Sequence, residues 1–266
     1  MTSRIGIIGG SGLYELPGFN LEETRKIETP FGEPSDVYRL GTLGDRKVVF
    51  LPRHASRHNI PPHQVNYRAN IFGMQHLEVE RIIAVSAVGG IHSDFTPGDL
   101  VVPDQIIDMT KNRKNTFYEG EPVTHVDFTE PFCSGLQREI ATAADKLGIA
   151  LHSGGTYLCV EGPRYETAAE IRFFASIGAG LVGMTAMPEA VLARELGLCY
   201  SLVSVVTNPA AGISKEKLNT DEVVVVMQQS LDRVKELLKV TANQMTGAKE
   251  CSCAQSLDRA AITRPE

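Results

Sequence analysis

Short continuous runs of Val, Ile and Leu alternate with stretches of helical apolar spacing along nearly the whole chain. This alternation restricts the fold more than any other feature. The strand candidates are Ile5–Ile8, Val37–Leu40, Lys47–Leu51, Arg81–Val85, Leu100–Val102, Gly155–Val160, Gly180–Gly183 and Leu198–Val206, several of them continuous apolar runs. Strands that read as unbroken apolar runs are those covered on both faces. Helical spacing predicts helices over Tyr67–Gln75, Ser134–Leu147, Thr167–Ser176, Met187–Leu196 and Asp221–Met245. In the last of these, Val224, Met227, Leu231, Val234, Leu237 and Leu238 fall on one stripe. Gly41-Thr42-Leu43-Gly44-Asp45, between two runs, reads as a hairpin turn. The pattern predicts an α/β fold, a single domain with a mixed central β-sheet flanked by helices. A chain of 266 residues with 42% hydrophobic residues is long enough for one large core and short for two. We place the domain at residues 1–245. A polar, alanine-rich C-terminal tail at 246–266 is expected to be partly mobile.

Charge and apolar run length exclude some functions. Lys and Arg number 26 against 32 Asp and Glu, a formal charge of −6, which argues against nucleic acid or an anionic membrane as the main partner. An anionic substrate stays compatible, because a few local Arg and His residues outweigh the net sign. No apolar run is long enough to span a membrane. Met1-Thr2-Ser3-Arg4 leads straight into a strand-like run with no signal-peptide pattern, so the expected location is cytoplasmic. Of the five cysteines, Cys133, Cys159 and Cys199 lie in apolar segments and read as buried thiols. Cys251-Ser252-Cys253 has three readings: two reduced thiols on a loose tail, a soft-metal ligand pair, or a small strained disulfide.

Residues suited to chemistry gather where the apolar runs end. Gly9-Gly10-Ser11-Gly12 follows the first run. Its glycines permit close backbone approach and N–H donation to an anion, and a plain tight turn explains it equally. It matches neither the P-loop nor the dinucleotide fingerprint. Pro52-Arg53-His54 offers a guanidinium fork and an imidazole. His54, His58 and His63 have no helical geometry across Pro61-Pro62, so we expect no metal there. Ser86-Ala87-Val88-Gly89-Gly90 reads as a small-residue loop after a strand. Glu161 and Glu166 flank a Gly-Pro turn before a helix, where Glu166 also suits a helix N-terminus. Thr185 sits near a helix start, as a cap or as an anion donor. Asn208, in Thr207-Asn208-Pro209-Ala210, is a turn former or a reader of a heterocycle edge, since its amide both donates and accepts.

Seven segments carry a family resemblance: Gly9-Gly10-Ser11-Gly12-Leu13, Arg53-His54, Ser86-Ala87-Val88-Gly89, Pro97-Gly98-Asp99, Glu161-Gly162-Pro163-Arg164, Met184-Thr185-Ala186-Met187-Pro188-Glu189 and Leu192-Ala193. In this order they resemble the trimeric nucleoside phosphorylase family, in its branch containing methylthioadenosine phosphorylases, from residue 5 to about 240. The resemblance implies a nucleoside phosphorylase-like fold and a pentosyl transfer in purine salvage. Phosphate attacks the anomeric carbon of a purine nucleoside, giving free base and an α-pentose 1-phosphate. It implies phosphate held by Ser11, Arg53, His54, Ser86, Ala87 and Thr185, with the ribose against Met184. The substrate set also takes in Tyr165, Glu166, Asn208 and Ala210, with Asn208 and His54 closest to the chemistry. His125 matches a position that reaches a neighbouring subunit's site. The implied assembly is a homotrimer or homohexamer. No cofactor or metal is implied, phosphate being a co-substrate.

Two departures bear on the base. The adenine-specific branch carries Asp at the place of Asn208 and Phe-Ser-Ser at that of Tyr165-Glu166-Thr167. An amide donates to a 6-oxo group, and an ionised Glu166 accepts from a protonated N1. The expectation is therefore a 6-oxopurine nucleoside phosphorylase acting on inosine and guanosine. The alternatives are a phosphorylase of S-methyl-5'-thioinosine or S-methyl-5'-thioadenosine, with Thr220 and Val223 near the 5' group, and a non-catalytic nucleoside-binding protein.

Overall fold

The computed structural model describes residues 4–16, 18–121, 123–215, 217–245, 249–258 and 260–262. Its strands are β1 (Arg4–Gly9), β2 (Phe19–Arg25), β3 (Tyr38–Leu43), β4 (Arg46–Pro52), β5 (Val79–Gly90), β6 (Leu100–Val102), β7 (Gln105–Met109), β8 (Val123–Thr124), β9 (Leu151–Ser153), β10 (Thr156–Val160), β11 (Leu181–Gly183), β12 (Cys199–Pro209) and β13 (Ala261–Ile262). The helices are α1 (Tyr67–His76), α2 (Ser134–Leu147), α3 (Ala168–Ser176), α4 (Ala186–Glu195) and α5 (Thr220–Gln244).

The expected mixed sheet is present. Eleven strands form one sheet in the order β2-β3-β4-β1-β5-β11-β10-β7, with β12 on β5 and β6, and β9 on β6. Its centre is parallel: β1 pairs with β4 and β5, and β5 with β12. Side chains alternate across it. Ile5 and Ile7 pack with Phe50, Val203, Val205 and the apolar faces of α2 and α5, whereas Ile8 packs with Leu51, Ala84, Leu202 and residues of α1 and α4. Burial on both faces is why these strands read as continuous apolar runs. The hairpin between β3 and β4 is tighter than expected, with Leu43 opposite Arg46 and Gly44 at φ +61°.

Three expectations change. Ser86–Gly90 is not a loop: β5 continues through it, because β12 runs alongside as far as Gly90 and β11 pairs with Gly89 and Gly90. Val224, placed on the buried stripe of α5, is 49% exposed; the buried stripe begins at Met227, and the first turn of α5 projects past the core. The C-terminal segment, where described, is packed: Cys253 is buried with the α2–α5 cluster, and β13 pairs with β8. Residues 246–248, 259 and 263–266 of the expected tail lie outside the described residues. No helix among the described residues is long and apolar enough to cross a membrane.

Candidate active site

Parallel strands end on one side of a sheet, and loops at those ends meet there. Gly10 and Ser11 after β1, Arg53 and His54 after β4, Ser86–Gly89 in β5 and Thr207–Asn208 in β12 line one cleft of about 520 Å³. Gly183–Thr185 and Pro163, Tyr165 and Glu166 complete it, with Asn59–Pro62 and the first turn of α5 at Thr220 and Val223. Of the site residues expected from sequence, all line the cleft except Ala210 and His125. Ala210 is buried behind the wall, where its N–H donates to Gly90 O at 2.8 Å in continuation of the β5–β12 pairing. His125 is exposed beside β8, its N–H donating to Ala260 O at 2.8 Å.

At one end of the cleft the loop Gly9–Gly12 is both tight turn and wall. Leu13 N–H donates to Gly10 O, and Gly12 has φ +83°. A Cβ on Gly10 would lie 2.4 Å from Val85 O and 3.1 Å from Arg53 Nη1, so only glycine lets the backbone pass there. Arg53 is fully buried. Its fork is not free as the sequence suggested. Nε and Nη2 donate to Glu189 at 2.7 and 2.8 Å, and Nη1 donates to Val85 O at 2.9 Å. Tyr200 Oη donates to the same Glu189 carboxylate at 2.8 Å. One N–H remains on each terminal nitrogen of Arg53. Glu189 satisfies the rule that a buried charge is paired and hydrogen-bonded.

His54 differs from the donor expected. Its Nδ1 lies 2.8 Å from Ile60 O, a carbonyl that only accepts, so Nδ1 carries a proton. Burial, reinforced by the adjacent Arg53 charge, lowers its pKa to about 4. The neutral ring therefore offers an unprotonated Nε2, an acceptor. Ser86 Oγ and Thr185 Oγ1 are buried without a hydrogen-bond partner, and both residues line this end. Unsatisfied buried hydroxyls are costly. Two of them, beside main-chain N–H groups and Arg53, fit an anion that accepts from both.

The other end is built from loops and a bulge. Val206 pairs with Val88 and Asn208 with Gly89, leaving Thr207 as the extra residue. The bulge lets the consecutive residues Thr207 and Asn208 both line the cleft. Thr207 Oγ1 donates to Asn208 Oδ1 at 2.9 Å, and Asn208 Nδ2 donates to Pro209 O at 2.8 Å. That orients the amide and leaves one N–H of Nδ2. Burial pushes the Glu166 carboxyl above the usual carboxylate range. Glu161 does not line the cleft; its Oε2 accepts from Lys111 N–H at 2.8 Å.

Arg113 is the residue sequence reading missed most completely. From an irregular segment it donates to Met184 O at 2.7 Å, Met187 O at 2.5 Å and Glu161 O at 2.7 Å, tying together the loops after β10 and β11. Nothing in its neighbourhood Lys111–Asn115 marks it. Glu189 was legible in principle, since a lone carboxylate inside Met187-Pro188-Glu189-Ala190-Val191-Leu192 needs a buried cation.

Residues 4–257 match the family model described as the phosphorylase superfamily. The chain belongs to the phosphorylase superfamily. It is 50% identical to a probable S-methyl-5'-thioinosine phosphorylase of Thermodesulfovibrio yellowstonii, over 97% of each chain. It is 48% identical to the 6-oxopurine nucleoside phosphorylase of Pyrococcus furiosus, over 96% of this chain and 97% of that one. A solved methylthioadenosine phosphorylase from Schistosoma mansoni, in complex with adenine, superposes with TM-score 0.93 at 33% identity, covering 97% and 99% of the two chains. The cleft of this phosphorylase thus combines a buried, polar, anion-suited end with a second end lined by Tyr165, Glu166, Asn208 and the first turn of α5.

Proposed function

We propose that this phosphorylase cleaves S-methyl-5'-thioinosine with inorganic phosphate, giving hypoxanthine and the 5-methylthio-α-pentose 1-phosphate. A phosphate oxygen bonds to C1' as the C1'–N9 bond breaks. The electron pair leaves on the purine, which takes up a proton. Donors aimed at the developing charge lower the barrier, and phosphate fixed by Ser11, Arg53, Ser86, the Ala87 backbone and Thr185, with His54 accepting from a protonated phosphate oxygen, supplies proximity to the cationic sugar. Met184 bounds the sugar. Tyr165 and Glu166 stand beside the base.

The orientation of the Asn208 amide carries the reading. With Oδ1 engaged by Thr207 and Nδ2 on Pro209 O, its remaining N–H is directed to a purine acceptor such as O6. A carboxylate in the same place would set a charged oxygen against Pro209 O. At the 5' end, Val223 gives a methyl surface beside Thr220, which suits a methylthio group better than a hydroxyl. The relatives named for 5'-methylthio nucleosides support that half of the reading over inosine and guanosine. S-methyl-5'-thioadenosine is the second reading. It draws on Glu166, whose raised pKa brings a proton to face an unprotonated N1 within reach. His125, exposed and away from its own cleft, is a candidate contributor to the site of a second copy, as the trimer reading requires.

Steady-state kcat/KM with phosphate for S-methyl-5'-thioinosine, inosine, guanosine and S-methyl-5'-thioadenosine tests both halves. Highest efficiency on the first is expected. Preference for S-methyl-5'-thioadenosine would overturn the base assignment, and preference for inosine the 5' assignment. Absence of phosphate-dependent base release would restore the non-catalytic alternative.

A further inference from the structure

Far from the cleft, four of the five cysteines converge. Cys133 caps the start of α2, Cys199 opens β12, and Cys251 and Cys253 come from the segment after α5. Their four Sγ atoms all lie within 4.8 Å of one another. Cys199 Sγ and Cys251 Sγ are 3.3 Å apart, and all four are free thiols. Four sulfurs around a zinc ion at about 2.3 Å stand roughly 3.8 Å apart along the tetrahedral edges, so this cluster already has the needed dimensions. It is also closed, as a structural site is: Cys133, Cys199 and Cys253 are each no more than 4% exposed. One backbone N–H supports a sulfur anion, in surroundings of mixed charge. Leu136 N–H donates to Cys133 Sγ at 3.4 Å, and the recess beside the cluster carries Arg81, Arg138 and Lys249 together with Glu139 and Glu250.

We propose that Cys133, Cys199, Cys251 and Cys253 bind one zinc ion, which fastens the C-terminal segment to the body of the protein. The site joins α2, β12 and the chain after α5, three places far apart in sequence. The segment it anchors continues to Ser256, whose Oγ donates to Arg194 O at 2.6 Å, and to β13, which pairs with β8 beside His125. Zinc binding releases the thiol protons and adds its free energy to that of the folded state. The site is independent of the cleft and of the substrate assigned to it.

The full chain, purified under reducing conditions without a metal-chelating tag, is analysed for metal by mass spectrometry and for free thiols after denaturation in a chelator. One zinc per chain is expected. Cobalt exchange should give the sulfur-to-cobalt charge-transfer band and visible bands of a tetrahedral four-sulfur centre. Cys251→Ser, at the most exposed ligand, should lose most of the zinc and become cleavable by protease after α5 while the body stays folded. Cys159→Ser, outside the cluster, should keep full zinc. A metal-free protein with five free thiols overturns the proposal. So does a metal-free protein with paired disulfides, a metal other than zinc at the site, or zinc retained in full by Cys251→Ser. The cobalt spectrum of the unmutated chain decides the matter even if the variant does not fold.

Discussion

The two ends of the cleft are made differently. The anion end sits on the ends of β1, β4 and β5 and the start of α4, buried, with its cation neutralised by Glu189 and two hydroxyls left unpaired. The other end is carried by the loop at Pro163–Glu166, a bulge in β12 and the first turn of α5; the bulge is buried, while the loop and the helix turn are more exposed. Strand ends locked into a buried sheet hold donors rigidly for a ligand that never changes. Loops and a bulge let specificity change without disturbing the sheet. Substitutions at the first end should therefore cost stability or phosphate binding. Those at the second should redistribute substrates.

The largest effect is expected at Glu189. Glu189→Gln leaves Arg53 as a buried, poorly compensated cation, which costs about 3–5 kcal/mol. Urea denaturation measures it, and a loss within error of zero would mean that Arg53 does not depend on this partner. Next comes pH. His54 is neutral when folded, with a pKa lowered to about 4 from 6.5, so between those values the unfolded chain binds the extra proton. Stability from this group is full above pH 6.5 and is lost as pH falls towards 4, by at most about 3 kcal/mol. His54→Gln should flatten that slope, and an unchanged slope would place the acid sensitivity elsewhere.

Ser86→Ala and Thr185→Val separate ligand binding from folding. Both hydroxyls lack partners in the protein alone. Their removal should leave the melting temperature unchanged or raised, while the KM for phosphate rises about 10-fold or more for each lost bond to a charged ligand. Loss of stability without any rise in KM would show that they serve the fold instead. The smallest change, and the one at the other end, is Asn208→Asp. It should shift the ratio of efficiencies towards 6-aminopurine nucleosides by about 10-fold, the scale of one net hydrogen bond. Equal losses on both base types would mean that Asn208 shapes the bulge and does not read the base.

Much of this contrast was legible in the sequence. Central strands buried on both faces announce themselves, and α2 falls at Ser134–Leu147 as spaced. Short or exposed strands do not: β2 carries Glu22 and Glu23 on an exposed edge, and β7 alternates weakly. The small residues of Ser86–Gly90 look like a loop because their hydrogen-bonding partners, β11 and β12, are remote in sequence. At the site, residue types were readable and pairings were not. Arg53 looked like a free fork until Glu189 was set against it, and His54 like a donor until Ile60 fixed its tautomer. The C-x-C pair looked like a loose tail because Cys133 and Cys199 are so far away along the chain.

The Ile60 contact at His54 has one more consequence. An imidazole that offers a lone pair to its ligand asks that ligand for a proton. Phosphate near neutral pH has one to give, whereas sulfate, of the same shape and charge, has none. In the phosphate reading, a carbonyl on the far side of one ring becomes the device by which the cleft tells two nearly identical oxyanions apart.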